Sequence, residues 1–233
     1  MIHTAKRVFI GVGHGGPDPG AVSGSFRESI INLTIALAVK EELERHGLTV
    51  GISRVKDEED RLAEEIKECN AFNPDVAIEV HNNAGGGDGF EVYVQTNKQA
   101  SKSRSLATSI EARVKATGQN SRGLKTKKNP NGTDYFGWLR QVECPTVLLE
   151  GFFVDGVKDR KDFDTSEEQR GLGVAYAHGI LDYLNVPVKA AASTSKKRYV
   201  VQVGVFDNPT YAEALKRQLE AKGFPAIIKE VSK

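Results

Sequence analysis

The chain has 233 residues, more than one average domain and fewer than two full ones. Its 32 Lys and Arg against 31 Asp and Glu leave a formal charge of +1, without the basic excess expected of a nucleic-acid-binding protein. At 39% hydrophobic and 27% charged residues the composition is that of an ordinary globular protein, and no apolar run is long enough to cross a membrane.

Arg7-Val-Phe-Ile-Gly-Val12 is a short apolar run ending in glycines, as a buried strand does. Glu28 to His46 is amphipathic, with Ile30, Leu33, Leu37 and Leu43 near one face and Gly47 as its stop. Thr49–Val55 is expected as a second strand and Asp60–Phe72 as a charged helix, ended before Asn73-Pro74. Two further strands follow, Asp75–Val80 and Gly89–Gln95, then a helix over Ala100–Ala116. Gly118 to Gly137 is rich in glycine and lysine and too polar to be core. Pro145–Leu149 completes the strands and Glu167–Leu184 the helices. Strands separated by helices predict an α/β fold, a mostly parallel twisted sheet with helices on both faces. From Pro187 to Arg198 the chain is small, polar and basic and reads as a linker. The expected domains are therefore 1–185, a linker 186–198, and a small module 199–233 with a strand–helix–strand pattern. Residues 1–185 hold 23 Lys and Arg against 27 Asp and Glu, while residues 186–233 hold 9 against 4.

In parallel sheets, sites form beyond the carboxyl ends of the strands. His14 follows the first strand, His81 the third, and Glu150 the last, while Glu28 stands in the first turn of the first long helix. Two imidazoles and one carboxylate can hold zinc tetrahedrally with one position left for water. A second carboxylate can take a proton from that water and pass it to a leaving amine. Local sequence offers a competing role for Glu28, since Ser25-Phe-Arg-Glu28 fits a capping box with Ser25 at N-cap. His81 could equally be a satisfied strand-end histidine. Glu150 follows an apolar run and would be costly if buried without a partner. His46, in the last turn of its helix, and His178, on the closing helix, read as structural, and His3 is terminal. Gly11-Val-Gly-His-Gly-Gly16 fits a dinucleotide fingerprint, but Pro17-Asp-Pro-Gly20 follows where that motif must open a helix, so this reading fails. Cys69 and Cys144 lie too far apart for a metal-type pair and read as small buried hydrophobes in a reducing compartment.

Four motifs together, Gly13-His-Gly-Gly-Pro-Asp-Pro-Gly-Ala21, Arg27-Glu-Ser29, Val80-His-Asn-Asn-Ala84 and Thr146-Val-Leu-Leu-Glu-Gly-Phe-Phe153, resemble the zinc-dependent N-acetylmuramoyl-L-alanine amidases of the amidase-3 type. These cell-wall hydrolases include autolysins and phage endolysins. The resemblance covers roughly residues 6–185 and implies that His14, Glu28 and His81 are zinc ligands and Glu150 the catalytic carboxylate. It implies cleavage of the amide between N-acetylmuramic acid and L-alanine in peptidoglycan. One departure stands out: Glu65 occupies the place where the family usually has an arginine, ahead of Cys69-Asn70. Lys125, Lys127 and Lys128 are candidates either for contact with anionic wall polymers or for a solvated loop.

The tail, Tyr199-Val-Val-Gln-Val-Gly-Val-Phe206, Ala212–Leu219 and Gly223-Phe-Pro-Ala226, resembles half of a SPOR-type peptidoglycan-binding module. So short a segment seldom folds alone, which makes homodimerisation through it, or docking on the catalytic domain, an expectation. Met1–Phe9 has no apolar h-region, so no secretory signal is expected. Cytoplasmic synthesis with release by lysis or a phage holin is then the expected route to the wall. A zinc peptidase of similar architecture, or an inactive wall-binding protein, are the alternatives. Peptidoglycan is the expected partner, with neither nucleic acid nor membrane.

Overall fold

The apolar run Arg7–Val12 forms β1 and pairs in parallel with Thr49–Ile52 (β4) on one side and Val76–Asn83 (β5) on the other. The computed structural model describes residues 5–190, 203–222, 226 and 228–229, which divide into one unit ending at Lys189 and a second beginning at Ala190. β5 in turn pairs in parallel with Thr146–Phe153 (β8). Phe90–Val94 (β6) runs antiparallel to β8, and Ser121–Lys125 (β7) closes the edge beside it. The six-stranded sheet thus has the order β4-β1-β5-β8-β6-β7, with a separate small ribbon of Val22–Ser23 (β2) and Phe26–Arg27 (β3).

Two helical layers cover the sheet. One face carries Val8, Ile10, Ile78, Val80, Val147 and Leu149 into a large core with Glu28–Arg45 (α1), Ala100–Ala116 (α3) and Ser166–Tyr183 (α6). The other face carries Phe9, Ala77 and Leu148 into a smaller cluster with Ile66 and Cys69 of Leu62–Phe72 (α2) and Trp138 and Leu139 of Gly137–Gln141 (α4). Trp138, fully buried, donates its indole N–H to Thr146 Oγ1 at 2.6 Å, which satisfies a polar group that burial would otherwise penalise. A short Asp159–Asp162 turn (α5) links β8 to α6, and α6 starts on a complete capping box of Thr165 and Glu168.

Several expectations change. α1 buries the expected Leu43 together with Ile31, Ile35 and Val39, Leu33 packs half-buried against the same core, and Ile30 is exposed. The cause is packing on two sides: α6 approaches so closely that a Cβ on Gly173 would lie 2.4 Å from the Ile35 carbonyl oxygen. No capping box forms at Ser25, because Arg27 is the N-cap residue of α1 and Glu28 opens the helix. β5 and β8 run past the expected ends, so His81 and Glu150 stand inside strands rather than after them. The polar stretch 118–137 is not all loop, since it includes edge strand β7 and leads into α4. Val186 and Val188 pack against the large core, and Lys189 donates its backbone N–H to His46 Nε2 at 2.8 Å, which fixes this end of the first unit.

In the second unit Pro209–Ala221 forms α7, capped by the Asn208 side chain on the Thr210 N–H and with proline in its first turn. Residues 203–206 lie outside any strand, and most of the expected linker and the segments 199–202 and 223–225 lie outside the described residues. Among the described residues no helix is long and apolar enough to cross a membrane.

Candidate metal centre and active site

Four elements bring their chemistry to one rim of the sheet. The turn after β1 holds His14 at φ +64°, a left-handed conformation that a side-chain-bearing residue adopts only when its surroundings enforce it. The enforcing contacts are explicit. Buried Arg54 donates to the carbonyls of Val12, Gly13 and Ser29, and Asn32 Nδ2 donates to the Gly13 carbonyl at 2.9 Å. Gly13 must lack a side chain, because a Cβ there would fall 2.2 Å from the His81 ring. Gly13, one of the glycines that mimic a dinucleotide fingerprint, thus clears space for an imidazole.

His14, Glu28 and His81 each offer one ligand atom, and these atoms lie within 4.8 Å of one another. Glu28 Oε1 is 3.2 Å from His14 Nε2 and 3.1 Å from His81 Nδ1, and the two rings meet edge to face at 4.9 Å. Glu28 is almost fully buried and its carboxylate is fixed by two backbone donors, Ala21 N–H to Oε2 and Asn82 N–H to Oε1. Burial pushes its pKa up, but hydrogen bonds from His14 and His81 outweigh this and hold it well below the usual carboxylate range. Burial opposes the charged form of both histidines, yet Glu28 raises both, joined by Asp18 at His14 and by Glu79 at His81. Two nitrogens and one oxygen, converging with the carboxylate ionised, fit a tetrahedral zinc site with an open position.

The outer ring nitrogens are also engaged. His14 Nδ1 lies 2.7 Å from Asp18 Oδ2, and His81 Nε2 lies 3.2 Å from Glu79 Oε1. Neither carboxylate carries a sequence signal of its own. Asp18 sits in a Pro-Asp-Pro turn, and Glu79 is two residues before His81 on the same face of β5, a placement legible only once that stretch is known to be strand.

Glu150 of β8 is the register neighbour of His81 on β5 and of Glu91 on β6. Its Oε2 is buried with no hydrogen-bond partner. Burial pushes this carboxyl up to about 7, with Glu28, Glu91 and Glu79 adding to the shift and His81 opposing it. A buried carboxyl with that affinity for a proton suits acid–base work near neutral pH. Glu65 fills space beneath the rim that Gly11 leaves, since a Cβ on Gly11 would lie 2.6 Å from its Oε1, and it accepts the Val12 N–H at 2.9 Å. Burial and the carboxylates of Glu79 and Asp60 raise its pKa well above the usual value. A cleft of about 310 Å³ opens beside the centre, walled by His14, His81, Glu79, Glu65, Phe136 and Trp138.

The remaining candidates stand apart from this cluster. His46 is buried against Glu42 and Lys189, and His178 pairs with Glu42 at 2.7 Å. Lys127 lies over the Tyr135 ring at 3.8 Å. Both cysteines are free.

The chain is similar to known proteins along most of its length. Residues 8–182 match the Amidase_3 family, described as N-acetylmuramoyl-L-alanine amidase, and residues 195–233 match the SPOR domain. The chain is 32% identical over 224 residues to a sporulation-specific N-acetylmuramoyl-L-alanine amidase of Bacillus subtilis, covering 95% of this chain and 84% of the relative. It is 31% identical over 200 residues to an endolysin of Bacillus phage SPP1, covering 83% and 71%. Among solved structures, Cwp6 from Clostridium difficile superposes with a TM-score of 0.75 at 32% identity over 78% of this chain, which spans 30% of that protein. The N-acetylmuramoyl-L-alanine amidase AmiC2 of Nostoc punctiforme superposes with a TM-score of 0.70 at 26% identity, covering 77% of this chain and 97% of the other.

Proposed function

Since the chain belongs to the N-acetylmuramoyl-L-alanine amidase family, we propose that it uses zinc to hydrolyse the amide between N-acetylmuramic acid and L-alanine in peptidoglycan, and so lyses the wall. The observation that carries this reading is the convergence of His14, Glu28 and His81 beside the unpartnered Glu150 carboxylate. His14 Nε2, Glu28 Oε1 and His81 Nδ1 would hold the ion. When bound there, zinc supplies Lewis acidity toward the scissile carbonyl and toward water. Glu150 accepts a proton on its carboxylate from the attacking water and delivers it to the departing L-alanine nitrogen. With a dication bound nearby, the Glu150 carboxyl would lie below its buried value and be ionised, ready to act as a base. Asn32, Arg54 and the backbone donors to Glu28 keep the rim rigid, which is what a hydrolytic site needs to hold its groups within hydrogen-bond reach.

The domains proposed are a catalytic unit over 1–185, to which the packed residues 186–189 add its last segment, a linker from there to 198, and a wall-binding module over 199–233, supported by the SPOR match at 195–233. The module is proposed to pair with that of a second chain, because α7 has no buried residue in its own unit. Light scattering should then give the mass of two chains for the full-length protein and of one chain after removal of 199–233. A cytoplasmic enzyme that reaches the wall at lysis is the proposed setting, in keeping with the likeness to a phage endolysin.

The test is digestion of purified walls with and without a chelator. New L-alanine amino termini without new reducing sugars, only in the presence of metal, are the expected result. Reducing ends would mean a glycosidase, and wall binding without release would mean an inactive binder.

A further inference from the structure

Glu79 is the least expected group at the rim. It is 4% exposed, lies on β5 between Ala77 and His81 on the same face, and borders the cleft. Its Oε2 has no partner, and among the described residues no lysine or arginine pairs with it. A buried carboxylate with no lysine or arginine to neutralise it lowers stability when the ring beside it is neutral, so its presence needs another reason. The contact that it does make is specific: Oε1 stands 3.2 Å from His81 Nε2, the ring nitrogen facing away from Glu28 and His14.

We propose that Glu79 is a positioning residue for the metal centre, accepting the Nε2–H of His81 and so keeping the lone pair of the neutral ring on Nδ1, where the ligand atoms converge. Carboxylates that fix a metal-ligating imidazole in this way orient the ring and raise its basicity. The inference deepens the zinc reading above, and it differs in kind from a packing role. Among the described residues the Glu79 side chain makes no hydrogen bond to the backbone, and the apolar cluster of that face is formed by its neighbours Ala77 and Leu148. The corresponding contact at His14 is made by Asp18 from an exposed turn, where water can substitute for the carboxylate. At His81, 18% exposed in its side chain and backed by buried Glu65, water has far less access.

The experiment uses the full chain stripped of metal. Three quantities are measured, at a pH where the His81 ring is neutral, for wild type, Glu79→Ala and Glu79→Gln: zinc affinity by competition with a chromophoric chelator, the His81 tautomer from long-range proton–nitrogen spectra, and the Tm of the metal-free protein. Positioning predicts that Glu79→Ala binds zinc about 10- to 100-fold more weakly. His81 then shifts from the Nε2–H form to a mixture, and metal-free Tm is unchanged or higher, because a buried charge is gone. Glu79→Gln, which keeps an acceptor oxygen, should retain the tautomer and lose less than about tenfold in affinity. Zinc affinity within twofold of wild type in Glu79→Ala, an unaltered tautomer, or a lowered metal-free Tm in both variants would overturn the proposal. Wild type that fails to bind zinc would instead defeat the reading of the metal centre, while the tautomer comparison still decides the role of Glu79.

Discussion

The two faces of the central sheet are built from the same strands and used in opposite ways. Toward α1, α3 and α6 every strand residue from Val8 to Val12 and from Ile78 to Val80 that points inward is apolar, and the face is closed along its length. Toward α2 and α4 the inward residues change character along each strand: Phe9 gives way to Gly11 and Gly13, Ala77 to Glu79 and His81, and Thr146 and Leu148 to Glu150. The lower half is core. The upper half is a row of titratable groups with glycines opposite them. Stability is thus concentrated on one face, and the other can carry buried carboxylates at Glu65, Glu79 and Glu150 that would unfold a domain with no second core.

The comparison breaks most directly at Glu150. Replacement by Gln should reduce wall hydrolysis by about 10²–10⁴, the usual worth of a general acid–base group, with zinc content and fold unchanged. On the opposite face Ile78→Ala should cost about 2–5 kcal/mol in denaturant unfolding, while the fraction that remains folded keeps full zinc affinity. Glu150→Gln also tests the cost of the polar face. An acid with a folded pKa of about 7 and a usual unfolded value near 4.3 is protonated in both states at low pH and then costs nothing. As pH rises from the unfolded pKa through the folded one, the unfolded chain gives up the proton first and stability falls. The metal-free variant should therefore exceed wild type by about 3 kcal/mol at pH 8 and by nothing measurable at pH 3. Equal stabilities at both pH values would mean that Glu150 carries no such burden. Gly11→Ala, whose new methyl would press on Glu65 and Trp138, should cost about 1–3 kcal/mol, read as a lower midpoint in urea. Asp18→Ala should have the smallest effect, a loss of less than about tenfold in zinc affinity in a chelator competition, since its carboxylate is largely exposed.

The apolar face was the more legible one in sequence. The residues that β1, β5 and β8 turn to it, from Val8 to Val12, from Val76 to Val80 and at Val147 and Leu149, are Val, Ile and Leu, and α3 has the bounds expected of it. The polar face is legible only through single residues. His14, His81 and Glu150 were expected at strand ends, and the structure gathers them at one rim even though two of them lie within strands. Glu28 could not be assigned locally, because serine three residues before glutamate is a cap signal, and only the approach of β5 and the turn after β1 gives Glu28 other partners. Glu79, Asp18 and Arg54 act through distant partners, and nothing in their neighbours in sequence announces this. α4 was missed because five residues are little more than one turn and show no period, although Trp138 within it is the largest fully buried side chain.

The central claim is that three side chains at this rim hold one zinc ion beside Glu150. A crystal structure of the zinc-loaded protein, with anomalous data at the zinc edge, tests it most directly. The account predicts a single anomalous peak bonded to His14 Nε2, Glu28 Oε1 and His81 Nδ1, at the ordinary distances of about 2.0–2.2 Å, with Glu79 on the far nitrogen of His81. A peak elsewhere, or an ion bound through His81 Nε2, would contradict it.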